Sequence, residues 1–283
     1  MSDLQNKLVI DDSNYLNFIS PYVDGQQVMR GLVPRDYSQS PRGCYASSDP
    51  ADIPLIPRSE WPELIKEMNA KKSSLSHIRA TGNYGSHIPA LDQNGQGYCW
   101  AYSTTAAVQI LRAASNMPYI PLSAHSVACV IKNFRDQGGW GALSLDFVRE
   151  KGVVPQSHWP AKSMSRQYDT TENWEEAKKY RVTEGWYDLS ESVYDRDLTF
   201  DQVMTLLLSR IPVVLDFYWW GHSVCGFSPV DFGNQYSLDD QERWGIDIMN
   251  SWKDSWGTLG MGVVRGKKAI PDGAVAPRAV VVS

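Results

Sequence analysis

The sequence predicts an α+β fold in which a helical lobe precedes a strand-rich lobe, with a ligand cleft between them. Two observations carry this. Apolar residues recur at helical spacing through about residues 99–181, whereas beyond Arg210 β-branched and aromatic residues gather in short runs punctuated by Gly and Pro. Two lobes of different architecture meet along a groove, the natural place for a ligand. The organisation that follows is an irregular, Pro-rich N-terminal arm or extension over 1–85 and a body over 86–283. Within the body the helical lobe covers about 99–181 and the β-rich lobe about 195–283.

The arm has prolines at 34, 41, 50, 54 and 57 and few periodic apolar positions. A short helix is predicted near Ser59 to Ala70, with Ser59 as its cap and Pro62 in the first turn, where a missing N–H does no harm. In the body, Cys99 to Ser115 reads as a helix with Trp100, Ala107, Val108 and Leu111 on one face and Asn116 and Pro118 as its stop. Ser123 caps a second helix through about Phe134. A third runs from about Ala142 to Lys151 and ends at Gly152, suited to a left-handed cap. Residues 172–181 form a fourth. In DLTFDQVMTLLLSR, Thr199 and Gln202 fit a capping box, with Leu198 and Val203 as the staple of a fifth. The segments IPVVLDFYWW, HSVCGFSPV, WGIDIMNSW and MGVVRG then read as strands.

Composition excludes several function classes. Among 283 residues, 42% are hydrophobic and 21% charged, which is ordinary for a globular protein. Net charge is −5 with scattered cations, so the basic footprint of a nucleic-acid binder is missing. No apolar run approaches the roughly 18 residues of a spanning helix, so no membrane partner is expected. The first thirty residues carry acids where a signal peptide needs cations, so export by a signal peptide is not expected. Eleven tryptophans imply large apolar packing units in core and cleft walls.

The chemistry concentrates in three places. Cys99 follows a glycine-rich turn, QNGQG, where a helix begins, and the positive end of a helix stabilises a thiolate. A nucleophilic thiol needs a base, and His222 in GHSVCGF stands at the start of a strand that can hold an imidazole within roughly 3 Å of the sulfur. Asn250 in MNSWKDSWG can accept a hydrogen bond from the other ring nitrogen and fix the tautomer. His222 and Cys225 lie on opposite faces of a strand and no second ligand pair accompanies them, so neither a metal site nor a cofactor is expected.

These residues resemble the papain-like cysteine peptidases. QNGQGYCWAYS is similar to the family's cysteine motif, DQGGWGALSLDFVREKGVVPQSHWP to the stretch from its paired-glycine turn to a Tyr-Pro pair, GHSVCGF to its histidine motif, and NSWKDSWGTLGMGVVRG to its asparagine motif. The resemblance spans about residues 86–266 in family order. It implies a papain-like two-lobed fold and peptide hydrolysis of a polypeptide substrate through a thioester on Cys99. His222 is then base and acid, Asn250 the orienter, and Gln93, six residues before Cys99, an oxyanion donor. It also implies that Trp252 and Trp256 shield the Asn–His hydrogen bond. Gly138 and Gly139 would pair with extended substrate, with Trp140 bordering the pocket for the side chain next but one to the scissile bond.

The chain departs from the family in several places. Gln96 and Asp136 stand where the family has a disulfide, and the partner expected for Cys129 falls near Tyr168, so the family disulfides are absent. With only Cys44, Cys99, Cys129 and Cys225, a reducing, cytoplasmic compartment is expected. Lys253 replaces a glycine, and Gly221 replaces the polar residue often found before the histidine. Only Asp216 to Gly221 separate the strand from the histidine, which shortens one cleft wall. The arm is either an inhibitory propeptide or a permanent extension that packs on the body or docks it onto a larger protein assembly, for which a phage virion is one version. A docking component that retains a peptidase-like body, and a thiol acyltransferase, are the alternative readings of the whole chain.

Overall fold

The computed structural model of the chain describes residues 7–20, 22–23, 26–27, 29–50, 53–82, 85–189 and 194–282. Among them lie helices α1 (Trp61–Ala70), α2 (Leu75–Thr81), α3 (Cys99–Ala114), α4 (Ala124–Ile131), α5 (Gly141–Glu150), α6 (Thr171–Ala177) and α7 (Arg196–Leu208). The strands are β1 (Val9–Ile10), β2 (Tyr22–Val23), β3 (Gln26–Gln27), β4 (Ser48–Asp49), β5 (Val182–Asp188), β6 (Val213–Phe217), β7 (His222–Asp231), β8 (Trp244–Met249), β9 (Met261–Arg265) and β10 (Gly273–Val280). The architecture is α+β. One sheet runs in the order β1-β9-β8-β7-β6-β10-β5-β4, and β2 and β3 form a separate pair.

Helix α3 is the axle of the helical half. Cys99 through Ala113 are all buried, so the single apolar face expected from the sequence is joined by a second, polar one turned inward. Its hydroxyls find partners: Ser103 Oγ pairs with Ser223 Oγ at 2.8 Å and Thr104 Oγ1 with Ser144 Oγ at 2.6 Å. Helices α4 and α5 and strand β7 pack around it. A second core gathers Trp61, Phe200, Trp244, Trp220, Trp252 and Trp256 beneath α1 and α7.

Several boundaries differ from the sequence expectation. Helix α7 starts one turn earlier, because Asp195 accepts from Leu198 N at 2.8 Å and takes the cap; Thr199 and Gln202 are buried inside the helix instead of forming a capping box. Helix α1 begins at Trp61 without a side-chain cap, so Ser59 does not serve as one. Helix α2, capped by Ser74, and strand β5 were not anticipated. Glu184 and Gly185 both adopt positive φ, +60° and +76°, which breaks the alternation by which β5 would be read.

Described segments before residue 86 are built into the body. Ile10 is fully buried, with β1 parallel to β9 at one sheet edge, and β4 lies parallel to β5 at the other. Trp61 is fully buried, 5.0 Å from the Trp244 ring and 6.2 Å from Phe200, and its indole N–H donates to Ile56 O at 2.8 Å. Trp61→Ala is therefore expected to cost about 3–5 kcal/mol in urea unfolding. A loss below about 1 kcal/mol would mean that this segment merely rests on the surface.

Candidate active site

Cys99 is the first residue of α3, and the turn before it is held by Gly97 N donating to Asp136 Oδ1 at 2.8 Å and Tyr98 OH donating to Arg135 O at 2.8 Å. These bonds join the two loops where the resemblance places a disulfide. All four cysteines are free thiols. The backbone N–H groups of Ser223, Trp100 and Leu32 lie near the Cys99 sulfur and favour its ionised form. Ser223 follows His222, so the helix head meets the start of β7.

His222 Nε2 lies 2.8 Å from Asn250 Oδ1. The same oxygen accepts Ser251 N–H at 2.7 Å, which identifies it as the carbonyl end of the amide; Nε2 therefore carries the proton. Nδ1 is buried and has no hydrogen-bond partner, leaving its lone pair free. Trp252 stacks on the imidazole at 4.7 Å, Trp220 meets it edge-on at 5.0 Å, and Trp256 packs against both tryptophans. Gln93 is fixed by its own N–H to Ser251 O at 2.9 Å and by the Ser251 hydroxyl on its Oε1.

The groove is occupied by the chain itself. Residues 29–33 form a strap across it. Gln93 Nε2 donates to Met29 O at 2.9 Å and Arg30 O at 3.0 Å, and Trp252 Nε1 donates to Met29 O at 3.1 Å. Gly139 N donates to Gly31 O at 3.0 Å and Val33 N to Gly139 O at 2.9 Å, a parallel bridge centred on Leu32. Leu32 N also donates to Gly221 O at 3.3 Å. Gly31, at φ +120°, fits because it lacks a side chain: a Cβ there would fall 1.9 Å from Gly97 O.

Every residue singled out from the sequence thus stands around one groove or in the shell behind it. Trp140 lines it beside Gly139 and donates its indole N–H to Tyr45 OH at 3.1 Å. Lys253 sits at φ +68°, the left-handed region that glycine fills without strain, and reaches 3.6 Å from Asp92. Missed by the sequence reading were Trp220, the strap and Asp216. Trp220 directly precedes the GH pair, and a tryptophan two residues before a candidate base was an available signal. The strap carries no periodicity to mark it.

A buried thiol at a helix head, an oriented imidazole with a free nitrogen, and an amide donor across a groove define a thiol-peptidase architecture. Residues 78–277 match the papain family cysteine proteases, and the chain belongs to that family. It is a papain-like cysteine peptidase, and its substrates are polypeptides. It is 24% identical over 192 residues to zingipain-1 of Zingiber officinale, covering 62% of this chain and 81% of that protein. Its fold is similar to that of xylellain, a cysteine protease from Xylella fastidiosa, with a TM-score of 0.54 and 16% identity over 68% of this chain and 83% of the other. Digestive procathepsin L 3 of Tenebrio molitor larval midgut gives a TM-score of 0.51 and 16% identity over 79% of this chain and 90% of the other.

The covered state sets the protonation of the pair. Burial pushes the Cys99 thiol far up, and the nearby Asp216 carboxylate adds to this, so the sulfur is a neutral thiol. Burial pushes His222 down to about 3, against the Asn250 hydrogen bond and with help from Arg30, and pushes His125 down to about 4 with help from Lys162. Both histidines titrate near 6.5 when unfolded, so their contribution to stability is complete above that pH and is lost as pH falls toward 4. The slope is at most about 1.4 kcal/mol per pH unit for each. Asp216, pushed up to about 6 by burial, has the opposite sign and offsets about one histidine below its own pKa. The midpoint of urea unfolding is expected to fall between pH 6.5 and 5, and to fall less in His222→Asn. A flat or rising midpoint in the wild type would contradict the neutral, buried imidazoles.

Proposed function

We propose that this peptidase works through a Cys99 thioester and is held latent by residues 29–33. His222 Nδ1 takes the thiol proton, the thiolate attacks the scissile carbonyl carbon, and the oxyanion is held by Gln93 Nε2 and the Cys99 backbone N–H. The protonated imidazole then gives its proton to the leaving amine, the C–N bond breaks, and water activated by the same nitrogen hydrolyses the thioester. Asn250 keeps the ring in register, and Trp252, Trp256 and Trp220 keep water from that hydrogen bond. Substrate lies along Gly138 and Gly139 with one side chain against Trp140.

The observation that carries the proposal is the pair of donors on Gln93 Nε2, already aimed at two main-chain carbonyls, opposite an imidazole whose Nδ1 is free. Latency is supported by where the strap lies. It runs along Gly139, bonded to that residue through Gly31 O and Val33 N, and so occupies the part of the groove proposed for extended substrate. Displacing it returns the thiol to water and to the positive end of α3, which lowers the thiol pKa. The four free thiols favour maturation in a reducing compartment.

Gly31→Ala tests both parts. The added methyl cannot coexist with Gly97 O, so Cys99 alkylation by iodoacetamide and hydrolysis of peptide substrates are expected to rise by at least about tenfold, the effect of 1.4 kcal/mol against the covered state. Cys99→Ala in that background abolishes turnover, and Gln93→Ala lowers kcat by about 10²–10³. Product analysis with added amines separates hydrolysis from acyl transfer. If Gly31→Ala leaves Cys99 alkylatable but no peptide is cut, the peptidase mechanism fails.

A further inference from the structure

Beside the groove lies a carboxylate for which the mechanism has no use. Asp216, on β6, is only 6% exposed, and its Oδ2 accepts Gly141 N–H at 2.9 Å at the start of α5. Its Oδ1 is buried with no hydrogen bond of its own, and the nearest donor is the Ser223 hydroxyl, which also pairs with Ser103 and favours the ionised carboxylate. An acid left this way inside a protein is costly unless something is meant to meet it.

Its surroundings point into the groove. It lies close enough to Cys99 to raise the thiol's pKa. Two glycines flank it: a Cβ on Gly141 would stand 3.4 Å from Oδ2, and one on Gly273 would stand 3.7 Å from the carboxylate. A larger residue at 273 would stand between Tyr37 and the carboxylate, whereas at 141 the added Cβ would already meet Val214 Cγ1 at 2.7 Å. The strap's continuation covers the spot, with the Tyr37 hydroxyl 3.2 Å from the place a Gly273 Cβ would take. That same continuation brings a cation: Arg35 forks onto Asp188 at 2.8 and 3.0 Å, and its charge also favours the ionised form of Asp216. The chain's own cover thus answers this acidic wall with an arginine.

We propose that Asp216 is the acidic floor of the pocket beside Trp140 and Gly141, and that it selects substrates with a lysine or arginine side chain there. This deepens the peptidase proposal and rests on it. With the strap and Tyr37 displaced, a cation entering beside Gly273 reaches the carboxylate and forms a charge-assisted hydrogen bond shielded from water. With its pKa pushed up to about 6, the acid is ionised at neutral pH. Removing the charge while keeping an acceptor for Gly141 N–H separates selection from a purely structural role.

The test uses full-length Gly31→Ala and two peptidyl acyloxymethyl ketones that differ only in lysine or norleucine at that position, with labelling of Cys99 followed by intact mass. The lysine probe is expected to label at least about tenfold faster, the scale of one charge-assisted hydrogen bond. In Gly31→Ala with Asp216→Asn the lysine and norleucine rates should converge; because the Asp216 charge also raises the thiol's pKa, the two probes are compared as a ratio within each protein, and iodoacetamide serves only to show that Cys99 is open in both. Equal or faster labelling by norleucine, a lysine preference that survives Asp216→Asn, or iodoacetamide labelling with neither peptidyl probe reacting would each overturn the proposal. Should the Asp216 variant not fold, the ratio in Gly31→Ala alone decides. Loss of amide hydrolysis with intact probe selectivity would count against the peptidase mechanism and not against the pocket.

Discussion

Burial of the Cys99 sulfur at the head of α3 governs the chemistry of this chain. A helix N-terminus favours an adjacent anion by about 0.3–1 kcal/mol, up to about 2 when partly buried, whereas withdrawing an ion from water costs several kcal/mol. The strap, the start of β7 and the indoles around His222 supply that withdrawal together. Desolvation therefore wins, and both members of the pair are neutral although the helix dipole points the right way. In the proposed mechanism, reactivity is a matter of what lies over the groove.

The strap's position follows from how the sheet is closed. Strand β1 pairs at one edge and β4 at the other, so the chain between Ile10 and Ser48 must cross the sheet, and eight strands spaced about 4.8 Å apart make that a long traverse. The groove beside β6 and β7 lies on the path. Unpaired sheet edges invite association with other chains, and ending the sheet on the two-residue strands β1 and β4 keeps its edges short. Downstream of the strap, Arg35 is buried and bidentate on Asp188, which also accepts Gly43 N–H at 3.0 Å. Breaking that pair would leave a buried charge without its partner, at a cost of about 3–5 kcal/mol, so the downstream anchor is firm.

Tryptophan serves two distinct needs here. Trp61 and Trp244 fill volume where α1 meets the sheet, while Trp220, Trp252 and Trp256 surround one hydrogen bond, His222 to Asn250. Water reaching that bond would compete for Nε2–H and let the ring turn, and with it would go the direction of the Nδ1 lone pair. The short turn from Phe217 to His222 places two of these needs together, since its Trp220 closes over the ring and Gly221, at φ +61°, turns the backbone into β7.

The residues proposed for catalysis were singled out in the sequence in two ways: Cys99 after its glycine turn, His222 opening a strand and Asn250 by their own chemistry, and Gln93, Trp252 and Trp256 only through the family resemblance. The α+β class was legible for a local reason, since periodicity and turn residues act over a few positions. Local signals failed where a distant partner decided the outcome. Strand β5 was missed because positive φ at Glu184 and Gly185 breaks its alternation, and the start of α7 shifted because Asp195 competes for the cap. The strap, the neutral state of the thiol and the burial of Asp216 were set by tertiary structure alone, because solvation depends on which segments cover a site, and no residue carries that information in its own neighbourhood.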